Sequence, residues 1–164
     1  MKTKLFLFTG LLVFAGFVSA QNENRQSRAA AMEAKVKKAV DSGRFCLVMN
    51  QAQPMVGGLI TLTAEYTLTM AQDSAIAFLP YFGRAYSAPM DPSEGGIKFS
   101  GPVMGKKVVF NEKKKGYEIN FSVRTRDDVY RLYVNVWLNG TADINVISNN
   151  RQSISFSGDI RLPD

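Results

Sequence analysis

The chain has 164 residues, with 20 Lys and Arg against 14 Asp and Glu, one cysteine and no histidine. Without histidine, Ser-His-Asp and Cys-His catalysis and His-ligated zinc are excluded, and a lone cysteine excludes an internal disulfide. The formal charge of +6 is a mild excess whose one run, Lys113 to Lys115 before Gly116, reads as a solvated turn; no nucleic-acid partner is expected.

Residues 1–20 have the layout of a secretory signal. Lys2 and Lys4 lead, an uncharged apolar run follows from Leu5 to Val18, and Ser19 and Ala20 supply the small residues before a cut. The apolar run is shorter than the ~20 residues that a membrane-spanning helix needs. Gln21 rather than cysteine follows Ala20, so no lipid anchor is expected. The expectation is a soluble periplasmic or extracellular product with no transmembrane segment after signal removal, long enough to bury one core.

An N-terminal helix is predicted within residues 21–43. Ala29, Met32, Val36, Ala39 and Val40 recur every three or four residues, Glu33 and Lys37 sit four apart on another face, and Ser42 with Gly43 supplies a stop. The stripe is narrow and built largely of small residues, which suits a helix lying on the outside of a larger body.

From residue 44 to 164 the period becomes two, the mark of half-buried strands. Ile60, Leu62, Ala64, Tyr66, Leu68 and Met70 alternate with Thr61, Thr63, Glu65, Thr67 and Thr69. That run is long for one strand, and a bend or break is expected near Ala64 and Glu65. Asp73 and Ser74 read as a turn into Ile76 and Phe78. Later runs place Ile119, Phe121 and Val123, then Leu132, Val134 and Val136, then Ile154, Phe156, Ile160 and Leu162 on one face each.

The turns can be tested against these faces, because residues directly opposite in a ladder point the same way. A two-residue turn of Asn139 and Gly140 would set Val136 against Asp143 and Leu138 against Thr141. A three-residue loop, Leu138 to Gly140 with Gly140 left-handed, instead pairs Val136 with Ala142, Val134 with Ile144 and Leu132 with Val146. A four-residue loop, Thr125 to Asp128, pairs Val123 with Tyr130, Phe121 with Leu132 and Ile119 with Val134. The fold expected is therefore mainly β: an antiparallel meander of about eight to ten strands. It is curled into an open barrel or a two-layer sandwich, with one N-terminal α-helix packed against it and a closed lipocalin-like barrel as the near alternative.

Catalytic candidates are sparse. Glu65, Asp73, Asp91, Glu94, Asp127, Asp128 and Asp143 could form a carboxylate pair, but most fall at turns or on polar strand faces, where a solvated surface is the simpler reading. Cys46, between Phe45 and Leu47, reads as a small buried hydrophobe. Neither a cofactor nor a metal is implied.

Two segments stand out. Leu79 to Ser100 is rich in proline, glycine and aromatics, which makes a rigid connection; Tyr81 and Tyr86 could stack on a ligand and Arg84 could clamp an anion. The same residues could instead plug one end of the barrel, with Arg84 paired to Glu94 or to a backbone carbonyl. Ser148 to Gln152 is a polar loop whose Arg151 and Gln152 could face the first segment and share its site.

At these segments the chain resembles a family of exported Bacteroides-type proteins, the domain-of-unknown-function family 4251. The resemblance rests on Leu79 to Pro89 (LPYFGRAYSAP), Glu94 to Phe99 (EGGIKF), Asn111 to Lys114 (NEKK) and Ser148 to Ser155 (SNNRQSIS). It implies a signal peptide, an N-terminal helix and a β-rich body, and brings no activity, cofactor or catalytic residue. The function expected is a non-catalytic, exported binding or interaction module for a small molecule, glycan or envelope protein, recognised through Tyr81, Arg84, Tyr86, Arg151 and Gln152. The alternative is a carboxylate-dependent hydrolase of glycan or cell-envelope material.

Overall fold

The computed structural model describes residues 25–86 and 95–162. The expected signal at 1–20 and the start of the expected helix at 21–24 lie outside the described residues, as do Asp91 and Glu94. Within them are a helix α1 (25–41) and eight strands: β1 (Arg44–Pro54), β2 (Ile60–Ala71), β3 (Ser74–Leu79), β4 (Ile97–Asn111), β5 (Gly116–Arg124), β6 (Val129–Trp137), β7 (Thr141–Ser148) and β8 (Ile154–Arg161).

Each strand pairs with the next, antiparallel, and β1 pairs with β8, so the meander closes into a barrel. The antiparallel meander with its helix is as the alternation predicts. The closure goes further than the open barrel favoured from the sequence, because β8 returns to β1 in a continuous ladder from Cys46↔Arg161 to Pro54↔Ile154, broken by one register shift. Such closure removes the free edges that an open sheet would expose.

Both deduced registers are present. β6 and β7 pair Val136↔Ala142, Val134↔Ile144 and Leu132↔Val146 across a loop in which Gly140 has φ +95°. β5 and β6 pair Val123↔Tyr130, Phe121↔Leu132 and Ile119↔Val134. The expected irregularity in β2 is also found: Met49 pairs with Tyr66 but Gln51 pairs with Thr61, so residues 62–65 bulge opposite Asn50. In β3 it is Ala75, Ala77 and Leu79 that face inward, while Ile76 and Phe78 face out. Phe78 covers itself by stacking on Tyr66 at 5.7 Å, with the Lys98 ammonium 5.4 Å from its ring centre.

Inward side chains from all eight strands make one core with almost no exposed surface, including Leu47, Leu68, Leu79, Ile97, Val123, Leu132, Ile144 and Phe156. Each such side chain contributes about 1.5–3 kcal/mol on burial. Val36, Ala39 and Val40 of α1 join that core. The helix stops where expected: Ser42 and Gly43 donate their amides to the carbonyls of Lys38 and Val40, and Gly43 adopts φ +68°. The Gly43 carbonyl accepts the Gln72 amide at 2.7 Å, tying the helix end to the β2–β3 turn.

The closing seam depends on Gly158, which lies opposite Met49 at the β1 register shift. A Cβ there would stand 2.0 Å from the Val48 carbonyl oxygen and 2.8 Å from the Met49 Cα, both backbone atoms that cannot step aside. Gly158→Ala is expected to lower stability by about 2 kcal/mol or more, as core overpacking does, read from the urea midpoint. A loss under ~0.5 kcal/mol would show that the seam is loose.

Candidate functional site

The meander sorts the loops onto two ends. One end carries the α1–β1, β2–β3, β4–β5 and β6–β7 turns; the other carries the β1–β2 loop, the long β3–β4 connection, and the β5–β6 and β7–β8 loops. All five residues singled out from the sequence lie at this second end.

The two segments meet as one of the sequence readings anticipated. Ala85 and Arg151 form an antiparallel bridge. The Tyr86 amide donates to the Asn150 carbonyl at 2.7 Å, and the Gln152 amide donates to the Arg84 carbonyl at 3.1 Å. The Arg84 amide in turn donates to Gln152 Oε1 at 3.3 Å. The Tyr81 hydroxyl lies 2.8 Å from the Arg84 carbonyl and 3.1 Å from that of Gln152, sharing one proton between them. Arg151 Nη1 donates to the Gly96 carbonyl at 2.8 Å while its guanidinium sits 5.2 Å from the Tyr81 ring centre. Burial raises the Tyr81 pKa, against the opposing pull of the Gln152 hydrogen bond and the Arg151 charge.

These contacts divide the five residues by role. Tyr81, Arg151 and Gln152 turn their polar groups onto backbone and act as a clasp, holding the β3–β4 connection against the β7–β8 loop. The Arg84 and Tyr86 side chains stand outside it, Tyr86 being 69% exposed on a backbone fixed by the clasp. The expected pairing of Arg84 with Glu94 involves a residue outside those described.

Next to the clasp lies Asp128, which is buried, not solvated as its turn position suggested. Its carboxylate accepts the Val129 amide at 2.7 Å, the Asn149 amide at 3.1 Å and the Ser148 hydroxyl. Asn150 completes the weld by donating its side-chain amide to the Asp127 carbonyl at 2.7 Å. A carboxylate with three donors from two loops is a structural hub. Sequence alone could not place it, since two of its donors belong to a loop twenty residues away.

The β1–β2 loop was not singled out from the sequence, yet it presents Met55, Val56 and Leu59 to solvent, Val56 at 78% exposure. The available signal is Met55 and Val56 between Pro54 and the Gly57-Gly58 pair: large apolar residues in a turn, where polar ones are usual. With Phe82 and Tyr86 they give this end a set of exposed apolar and aromatic side chains.

The opposite end is built differently. The Tyr117 hydroxyl donates to Asp41 of α1 at 3.0 Å, and burial together with that carboxylate pushes its pKa up to about 12. A groove of about 510 Å³ runs beside α1, with Ala29, Met32, Trp137 and Leu138 as its apolar lining. Arg28, Lys114, Lys115 and Glu33 supply its charged rim, and Lys114 pairs with Glu118 at 3.0 Å.

The remaining candidates are committed elsewhere or dispersed. Glu65 pairs with Arg161 at 2.9 Å and Asp73 with Lys106 at 3.3 Å. Cys46 is half-buried on the outer face of β1, a partial departure from the buried position expected, and accepts the Thr69 hydroxyl. Among the described residues no three Asp, Glu or Cys side chains cluster as metal ligands. No described helix is long and apolar enough to cross a membrane.

The closed eight-strand barrel with its clasped end and N-terminal helix defines an antiparallel β-barrel domain. The sequence profile of the domain of unknown function DUF4251 matches residues 27–160, and the chain belongs to that family. A crystal structure of a DUF4251 family protein from Bacteroides eggerthii DSM 20697 is similar in fold, with a TM-score of 0.65 at 16% identity over 84% of this chain and 91% of that one. No curated protein matches the chain in sequence.

The division of roles predicts two outcomes. Arg151→Ala, which removes the Gly96 hydrogen bond and the contact with the Tyr81 ring, should cost about 1–2 kcal/mol. The double change Arg84→Ala and Tyr86→Ala should stay within ~0.5 kcal/mol of the unaltered protein. Urea unfolding measures both, and equal losses would contradict the assignment.

Proposed function

We propose that this protein is an exported, non-catalytic interaction module that recognises a protein partner of the cell envelope through the clasped end of its barrel. The observation that carries this reading is the composition of that end. Met55, Val56, Leu59, Phe82 and Tyr86 are exposed at the same end as Arg84, with Phe82 and Tyr86 on a connection that the clasp holds against the β7–β8 loop. Aromatic residues, methionine and arginine are the types enriched at protein interfaces, and a surface held rigid before binding loses less entropy when it docks. The apolar interior, whose side chains are almost wholly shielded from solvent, supports recognition from the outside, and the ion pairs that engage Glu65 and Asp73 support a role without acid–base chemistry. Export rests on the layout of residues 1–20.

Site-specific photocrosslinking in the cells that produce the protein tests this. A benzophenone side chain at Val56 or Tyr86 should yield a discrete adduct, and one at Asp159, on the barrel wall, should not. With the probe at Val56, Arg84→Ala together with Tyr86→Ala should abolish the adduct. The exported chain should begin at Gln21. Equal adducts at all three positions, or a chain retaining Met1 inside the cell, would refute the reading.

A further inference from the structure

The β4–β5 hairpin overshoots its neighbour. Pairing of β3 with β4 ends at Ser74↔Pro102, whereas β4 continues to Asn111 and bonds to β5 through Lys107↔Asn120 to Asn111↔Gly116. Among the described residues no strand lies on the far edge of Lys107 to Asn111. The barrel therefore keeps one stretch of open edge, whose outward N–H and C=O groups are a template for another strand. A bulge before Lys107, with Gly105 at φ +63°, marks where it starts. Beyond it stand Val108, Val109 and Phe110, all exposed, Val109 at 43%. Edges are protected by charge, proline or a bulge; here Lys107 and the bulge guard only the start, and Val108, Val109 and Phe110 beyond it are β-branched and aromatic, types that favour strand pairing.

The residues along this edge are complementary to their own reverse. We propose that β4 of a second copy pairs antiparallel on it about a twofold axis through Val109, continuing the sheet from one barrel into the next. Opposed residues in a ladder share a face, so self-pairing is restricted to registers centred on a residue. Centred on Val109, the register sets Val109 against itself, Val108 against Phe110 and Lys107 against Asn111, and it brings Lys106, in the bulge, toward Glu112, the first turn residue past β4. The interface is isologous, as a closed dimer requires, so every unlike contact occurs twice. Centred on Val108, the register would set Lys107 against Val109 and Lys106 against Phe110. Centred on Phe110, it would set Lys107 against Lys113. Only the Val109 register matches apolar with apolar and cation with anion.

The Lys106 ammonium has room for this contact. It donates to the Gln72 carbonyl at 2.7 Å and lies 3.3 Å from Asp73, leaving a third N–H for Glu112 of the second copy. Lys106 and Val108 line one cleft with Val40, Phe45 and Met70, so their shared face also adjoins apolar surface that the second strand would help to cover. The proposal is independent of the clasped end, which lies at the other end of the barrel.

Sedimentation velocity of the purified chain from micromolar to millimolar concentration is the test. A reversible dimer is expected, and Val109→Lys, which opposes two ammonium groups at the axis, should weaken it at least tenfold with an unchanged circular dichroism spectrum. In a Cys46→Ser background, Val109→Cys should form a covalent dimer under mild oxidant, because directly opposed Cβ atoms lie about 4.5–5.5 Å apart, near disulfide reach. Lys107→Cys in the same background should not. A chain monomeric throughout the range, a Val109→Lys variant that dimerises undiminished, or Lys107→Cys linking as readily as Val109→Cys would overturn the proposal.

Discussion

The ladder between the first and last strands is the constraint on which the rest of this molecule depends. Seven hairpin-type neighbours could form in an open, twisted sheet, but only the β1–β8 contact turns that sheet into an enclosure. Its cost is loop-closure entropy, since the partners lie 100 residues or more apart in sequence. Gly158 makes the seam close enough to work, because the two backbones pass within a distance that no side chain could share.

Closure has consequences for function. Once the sheet surrounds itself, the inward face of the closed ladder is consumed by the core, and the ends, the outer wall and the overhang of β4 are left for recognition. The two ends then differ in how they are finished. One is stopped by a helix whose Val36, Ala39 and Val40 enter the core and whose Asp41 holds Tyr117. The other is finished by loops welded through Asp128 and the clasp of Tyr81, Arg151 and Gln152, so that the exposed Phe82 and Tyr86 stand on a segment tied to its neighbour. Hydrogen bonds from side chain to backbone take the place there of the ladder bonds that join the strands.

What was legible in the sequence follows the range of the interaction involved. The β5–β6 and β6–β7 registers could be deduced because short turns and one-sided apolar strands permit a single consistent pairing. The bulge in β2 was legible near Glu65 because twelve alternating residues exceed what one straight strand usually spans. The face of β3 was not: Ile76 and Phe78 are the larger residues, yet the smaller Ala75 and Ala77 point inward, and the outward Phe78 finds its cover on Tyr66 and Lys98. Asp128 escaped for the same reason, since its burial depends on donors from another loop. Of the candidate site, the meeting of Tyr81 with Arg151 and Gln152 could be raised from composition. The sorting into clasp and exposed residues required coordinates, and so did the exposed Met55, Val56 and Leu59.

Native-state hydrogen exchange resolved residue by residue tests the closed barrel most directly. Amides of β8 that face β1 should be as protected as those joining β5 to β6, because both ladders belong to one cooperative core. If the β8 amides exchange at the rate of an unpaired edge while the β5–β6 amides stay protected, the sheet is open and the enclosure described here does not exist.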